Sequence, residues 1–391
     1  MYYLGIFVLI LFIFFLSISG IPKEQNSRFF LFIYLVLFLT SGCRYEVGSD
    51  YFSYKEMYEQ TLPLNEVIRW GSFSTDRKAE IGYMFISSIF RTFGCEINVM
   101  YLFISLITTY LFLKSIWLYN PKWFYLCVLT YFSFVFFVID MSAVRQSISL
   151  AIYLYSIRYI HNRNIWMYFL LVILASLFHF SALVLFPFYW LLRHQWSDKI
   201  LYISIGIATV ICTLEVKFIE LILTQCAGYL FGGIGYKLAV YGVESQSEWG
   251  MNPKVVLEVI LFLLYVRNKS KLQKKLPYGG IILNMFFFYM LCRLLLWESI
   301  DMSSRFGYYF VGGIFLGLPL FVDLYKTKFN RSLCLIFIIL FNFYQSQTWL
   351  LENTSTITYN PYQNYVIHRM FDLKDTGEER FKLHRNLNSN N

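Results

Sequence analysis

Long uncharged apolar runs recur along the whole 391-residue chain, beginning with "YYLGIFVLILFIFFLSISGI" at residues 2–21. A helix needs about 20 apolar residues to cross a hydrocarbon core. Inside lipid only helices and closed barrels satisfy their backbone hydrogen bonds. The expected fold is therefore all-α, a polytopic integral membrane protein with about ten transmembrane helices. The candidate spans are 2–21, 29–43, 98–118, 123–140, 142–160, 200–222, 254–267, 280–298, 306–325 and 332–350. Composition agrees, with 58% of residues hydrophobic and 15% charged. The first run has no basic segment before it and is long enough to span, so a retained helix is expected rather than a cleaved signal.

Two further segments do not fit a simple span. Residues 80–94, "EIGYMFISSIFRTFG", are short and amphipathic and are expected to lie at the interface or to penetrate the membrane only partly. Residues 165–192 are too many for one upright span and too few for two. Arg158 and Arg163 precede them, and Arg193 and Lys199 follow. Basic flanks at both ends favour two half-penetrating helices with His179 near the bend. One long tilted or kinked span is the alternative.

The formal charge of +9 does not point to nucleic acid, because the strongest basic cluster, "RNKSKLQKK" at 267–275, is a short connector between apolar runs. Such clusters mark cytoplasmic loops. With 267–275 and "KTKFNR" at 326–331 in the cytoplasm, outer loops are expected at 44–79, 224–252 and 299–305. Asp140 and both termini then face the same outer side. The chain reads as a single membrane domain, 1–391, ending in a polar tail, 351–391. Seven scattered cysteines form no CxxC pair, and neither a metal site nor a disulfide framework is expected.

Ionisable residues in or beside spans are costly, so each needs a reason. Asp140 precedes an apolar run, where its carboxylate can cap a helix; the cap alone leaves Arg145 and Gln146 unexplained. His179 sits in "ASLFHFSAL", either as a satisfied core residue or as a base working near neutral pH. Arg293 has Glu298 as a candidate ion-pair partner. Arg44, Arg145 and Arg305 are expected to converge at the outer mouth, with Asp50, Asp140 and His179 nearby. Forked guanidinium groups suit a diphosphate, and Tyr51 and Tyr54 offer flat faces to sugar or lipid. An enzyme that handles a lipid-diphosphate sugar needs such a set.

The order Arg44, Gly48-Ser49-Asp50-Tyr51, Tyr54, then Glu80-Ile81-Gly82-Tyr83, then Asp140 and Arg145-Gln146, then Phe178-His179-Phe180-Ser181-Ala182 resembles the EpsG family. That family includes Wzy-type O-antigen and capsule polymerases. Ser304-Arg305, Tyr308-Tyr309 and "YNPYQNY" at 359–365 are similar to it as well. The resemblance implies polymerisation of oligosaccharide repeat units carried on undecaprenyl diphosphate, at the periplasmic face of the bacterial inner membrane. It also implies a flippase and a chain-length regulator as companions. Arg44, Arg145, Gln146, Arg305, Tyr51, Tyr54 and Glu80 are the expected substrate-binding residues. Asp50 or His179 is the expected base, with Asp140 as orienter or alternative base. No cofactor is expected, and no metal, since the outer loops carry no DxD-like acidic pair. A membrane acyltransferase centred on His179 and a lipid-linked glycan flippase are the rival readings.

Overall fold

A computed structural model describes residues 1–20, 23–74, 79–217, 250–350, 357–374 and 376–389. Residues 224–249 of the expected outer loop, the end of the expected span 200–222 and Cys226 lie outside this set. The described residues are helical, with two isolated bridges, Arg44 to Asn364 and Thr61 to Ser74, and no strand. They fall into two compact units, one of Met1–Arg158, Trp166–Leu183 and Leu335–Asn391, the other of Tyr159–Ile165 and Val184–Cys334.

The first unit opens with α1 (Tyr2–Ile18) and α2 (Lys23–Gly42), matching the first two apolar runs. The expected outer loop 44–79 is partly helical: it holds α3 (Tyr51–Glu59) and α4 (Leu64–Trp70). Then come α5 (Ile81–Thr92), α6 (Ile97–Tyr119) and α7 (Phe124–Tyr131), which continues as a π-helix over Phe132–Asp140. After these run α8 (Val144–His161) and α9 (Ile165–Ser176). Small side chains let α2 and α6 approach closely. There Ser41 and Ser105 share a hydrogen bond, Ser105 donates to the Phe38 carbonyl at 2.9 Å, and Tyr34 donates to the Leu106 carbonyl at 3.0 Å.

The ends of these helices gather in two groups. At one end Tyr3 donates to the Tyr359 carbonyl at 3.1 Å, and the Gly48 amide donates to the Thr358 carbonyl at 2.9 Å. The Ser49 amide donates there to Ser142 Oγ at 3.2 Å. At the other end the Tyr125 hydroxyl meets Asn26 Oδ1 at 2.5 Å, and Tyr119 donates to the Leu154 carbonyl at 2.7 Å. Alternating helix directions therefore bring residues 3, 44–50, 140–142 and 358–365 to one end. The 12 residues of α9 rise about 18 Å, short of a hydrocarbon core. Helix α9 stops at Ser176, and a 3₁₀ segment begins at Phe180, so the chain breaks beside His179.

The second unit holds α10 (Phe188–Leu191), α11 (Asp198–Thr213), α12 (Pro253–Arg267), α13 (Lys269–Gln273) and α14 (Gly279–Leu295). The stretch expected as an outer loop at 299–305 forms helix α15 (Ile300–Gly307), which Ser299 caps by accepting the Met302 amide at 3.2 Å. The chain goes on through α16 (Gly312–Gly317) and a 3₁₀ segment to Leu324. Helix α17 (Lys328–Leu350) leads back into the first unit, which ends in α18 (Tyr365–Phe371) and α19 (Gly377–Ser389). By length and composition, Ile97–Tyr119 can cross a membrane, and the pair Ile300–Phe310 and Gly312–Leu324, bent by 42°, would be a second span. Charges such as Lys23 and Arg28 in α2, or Arg145 and Arg158 in α8, set the other long helices apart from these.

Gly48 has φ +110°, and a Cβ there would lie 2.2 Å from the Met141 carbonyl oxygen. Gly94 also has positive φ, +65°, with nothing within 4 Å of a Cβ. Gly48→Ala is expected to lower the melting temperature in detergent well beyond Gly94→Ala, which should cost about 1 kcal/mol. Equal shifts would show that the Met141 contact is not tight.

Candidate functional site

Arg44 is 2% exposed at the end of α2. Its guanidinium lies 4.2 Å from the centre of the Tyr101 ring and donates through Nη1 to the Ser41 carbonyl. Its Nε is buried with no hydrogen-bond partner, and among the described residues no carboxylate lies at ion-pair distance from it. The Tyr101 hydroxyl is likewise buried without a partner. The backbone beside Arg44 is fully used: its carbonyl accepts from Asn98 Nδ2 at 2.8 Å, and Asn98 Oδ1 accepts from the Tyr51 hydroxyl at 3.1 Å. Two donors are thus held ready inside the protein.

Asp140 is buried and near enough to Arg44 for the two charges to act on each other. Its carboxylate takes the Tyr131 hydroxyl on Oδ2 and the Ser147 hydroxyl on Oδ1. Residues nine apart lie on opposite faces of an α-helix, at about 3.6 residues per turn. The wider winding of Phe132–Asp140 brings Asp140 round to Tyr131, and i→i+5 bonds continue with Met141 to Phe136 at 3.0 Å and Ala143 to Val138 at 3.2 Å. The expected helix cap is not formed. Three residues separate Asp140 from the start of α8 at Val144, so its oxygens reach hydroxyls rather than first-turn amides.

Arg145 opens α8 beside Gln146, which is buried. It pairs with Glu80, donates from Nε to the Tyr54 hydroxyl at 3.4 Å and sits 5.4 Å from the Tyr54 ring centre. A pair of tyrosine rings accompanies each arginine: Tyr101, under Arg44, meets Tyr51 at 5.7 Å, and Tyr54, under Arg145, meets Tyr83 at 5.5 Å. Burial pushes the Tyr51 hydroxyl up to about 12 and raises Tyr54 as well, against the pull of Arg145. Both stay neutral at ordinary pH and act as hydrogen-bonding groups rather than bases.

Asp50 is partly exposed, takes the Ser49 hydroxyl at 3.3 Å and acts electrostatically on Tyr54 and Tyr359. His179 Nδ1 lies 2.5 Å from Ser181 Oγ. Its segment is drawn to Glu80 by one close contact, in which the Gly82 amide donates to the Leu177 carbonyl at 2.8 Å. A Cβ on Gly82 would lie 2.8 Å from that same oxygen, so glycine is needed there. Arg44, Asp50, Tyr51, Tyr54, Glu80, Asp140, Arg145, Gln146 and His179 all belong to the first unit.

The EpsG family profile matches residues 27–364, nearly the whole chain. The chain belongs to the EpsG family. Neither a curated protein nor a solved structure matches it. As an EpsG-family protein it is a membrane protein with a polymerase-like role in polysaccharide biosynthesis.

Arg305 belongs to the second unit, in α15. That unit also holds a buried ion cluster. Arg293 Nε lies 3.5 Å from Glu258 Oε2, Lys254 Nζ lies 3.9 Å from Glu258 Oε1, and Tyr289 donates to Glu258 at 3.4 Å. Arg293 thus has the expected ion-pair role, with Glu258 of α12 as an acid at ion-pair distance. Sequence reasoning also missed Tyr101, Tyr131 and Ser147, which carry no motif of their own. The largest miss is the tail. Gly377 donates to Glu46 Oε2 at 3.0 Å, and Arg380 donates to Gln363 Oε1 at 2.8 Å and to the Glu46 carbonyl at 3.4 Å. Glu46 within "RYEVGSDYFSY" is the one sequence hint, a charge needing a partner.

The side chains of Arg145 and Glu80 are 26% and 22% exposed, so solvent screens their pair in part. A double-mutant cycle of Arg145→Gln and Glu80→Gln is expected to show coupling of about 1 kcal/mol in thermal unfolding. Full additivity would mean the pair contributes nothing to the fold.

Proposed function

We propose that this protein joins oligosaccharide repeat units carried on undecaprenyl diphosphate into long chains, acting from the outer, periplasmic side of the bacterial inner membrane. The observation that carries the reading is Arg44, a buried guanidinium with an unmet donor and no carboxylate partner, within the region matched by the family. Leaving such a donor unsatisfied costs about 1–3 kcal/mol or more, which an arriving diphosphate would recover. The chain crosses the membrane about ten times on this reading, with partial penetration at 80–94 and 165–192. The end that gathers residues 44–50, 140–142 and 358–365 faces outward. A flippase delivers the units, and a chain-length regulator sets the product size.

In the reaction, a sugar hydroxyl of one lipid-linked unit attacks the anomeric carbon of a second glycan. The new glycosidic bond forms as the bond to the diphosphate oxygen breaks. The base takes the hydroxyl proton, and undecaprenyl diphosphate leaves as an anion stabilised by Arg44. Much of the acceleration comes from holding two lipid-anchored reactants together. Asp140, with both oxygens already engaged, suits orientation rather than proton abstraction. Asp50 and His179 compete for the base. Tyr51 and Tyr54 line the sugar path, and Arg145 and Gln146 support it beside Glu80. The donor carries its own diphosphate, so the reaction proceeds without a metal on this reading.

Purified protein with defined lipid-linked units tests the whole. Arg44→Lys keeps the charge but loses the planar fork, and extension is expected to fall at least about tenfold at normal protein abundance. Near-normal ladders from Arg44→Lys would remove it from the diphosphate site. Intact protein that lengthens no chain in any form would end the polymerase reading. In a deletion strain, loss of all surface glycan would favour the flippase, and unaltered ladders the acyltransferase.

The base is separated by His179→Gln and Asp50→Asn. Loss of the true base is expected to cost about 10²–10⁴-fold in rate while substrate binding persists. The amide of His179→Gln can replace the bond to Ser181, so a merely structural histidine leaves extension intact. If Asp50→Asn alone abolishes transfer, the base lies on the 44–50 loop.

A further inference from the structure

The tail helix α18 has two sharply different sides. Positions 365, 368 and 369 lie on one arc, and positions 366, 367, 370 and 371 on the other. The first arc is pinned to protein. Tyr365 donates to Glu96 Oε2 at 3.1 Å, Arg369 pairs with Glu96, and the His368 ring lies 4.1 Å from the Tyr45 ring. The second arc is bare: Val366 is 48% exposed, Ile367 51%, Met370 73% and Phe371 67%. Four large apolar side chains uncovered on one short helix mark a docking face.

The position of this face says what covers it. The Tyr365 amide donates to the Cys43 carbonyl at 2.7 Å, and the Tyr45 amide to the Gln363 carbonyl at 2.9 Å. These two bonds fix the start of α18 at the point where the apolar run of α2 ends. Tyrosines surround the same level: Tyr2 stacks on Tyr362 at 4.1 Å, and Tyr45 meets Tyr365 at 6.1 Å. Tyrosine is enriched where hydrocarbon gives way to headgroups, because its ring prefers one and its hydroxyl the other.

We propose that α18 is an interfacial anchor, lying in the lipid surface with Val366, Ile367, Met370 and Phe371 buried at the headgroup–acyl boundary. The partner is the bilayer of the protein's own membrane. Amphipathic helices bind this way in proportion to the apolar area they insert. The consequence reaches the candidate site. Through Tyr45 against His368, and through Glu46 held by Gly377 and Arg380, the same tail grips the 44–50 loop. The loop is thereby fixed at headgroup depth. The proposal rests on the family's membrane location and not on the polymerase reading.

The test uses full-length protein with its native cysteines replaced, reconstituted in nanodiscs. Met370→Cys carries an environment-sensitive NBD label, and Ile367→Cys serves as a second reporter on the same face. Blue-shifted emission, quenched more by lipids doxyl-labelled near the headgroup than by those labelled deep in the tail, is the expected result. Water-like emission quenched by iodide at both positions would overturn the proposal. So would blue-shifted emission insensitive to doxyl lipid, which would put a second copy or another protein on the face. None of these readings depends on glycan synthesis, so failure of the anchor and failure of the polymerase reading are distinguished.

Discussion

A guanidinium held away from water without a carboxylate sets the terms for the end of the first unit that gathers the candidate site. Arg44 is tolerated there through the face of Tyr101 and the Ser41 carbonyl. A desolvated cation–π contact contributes about 2 kcal/mol, which does not cover the cost of a buried charge. Much else is arranged around this residue. Asn98 takes its carbonyl and ties α6 to α3 through Tyr51. The antiparallel bridge to Asn364 ties it to the tail.

Backbone irregularities build the rest of the site, each where a regular helix would misplace a group. The π winding turns Asp140 toward Tyr131. The break after Ser176 brings Leu177 against Gly82, two residues on from Glu80. Gly48 allows the loop to pass against Met141, while Glu46, itself at φ 52°, turns its carboxylate to the Gly377 amide. Strained or rare backbone clusters where chemistry needs a fixed geometry, and these positions lie together in one unit.

Much of the helical framework was legible because apolar runs of spanning length have few other uses. The broken character of 165–192 was legible too, from basic flanks and a length that fits neither one span nor two. Asp140 stands out in the sequence and its partners do not, since a cap is the default for an acid before a helix and nothing in "FSFVFFVID" announces a change of winding. The tail resisted reading for a related reason. It reads from the sequence only as a polar tail, whereas Arg380 is turned to carbonyls at Glu46 and Pro361. Burial lowers the pKa of Arg380, opposed by Glu46, so its charge is kept by the partners that the sequence places more than three hundred positions away.

The two arginines of the first unit differ in a way that bears on the proposed chemistry. Arg145 already faces a carboxylate, so its field is largely cancelled and its fork is engaged by Glu80 and Tyr54. Arg44 is opposed only at longer range, by an Asp140 whose oxygens serve two hydroxyls. In a medium of low effective dielectric an uncancelled charge acts strongly on any anion that comes close. The protein bears that cost before substrate arrives, and a diphosphate would relieve it on binding. As the glycosidic bond to a diphosphate breaks, negative charge grows on the departing oxygen, so the attraction to Arg44 strengthens in the transition state relative to the bound ground state. An arginine left unpaired therefore lowers the barrier, whereas one already neutralised mainly fixes position. On the proposed reading, Arg44 belongs to the leaving group and Arg145 to the scaffold that holds the sugars.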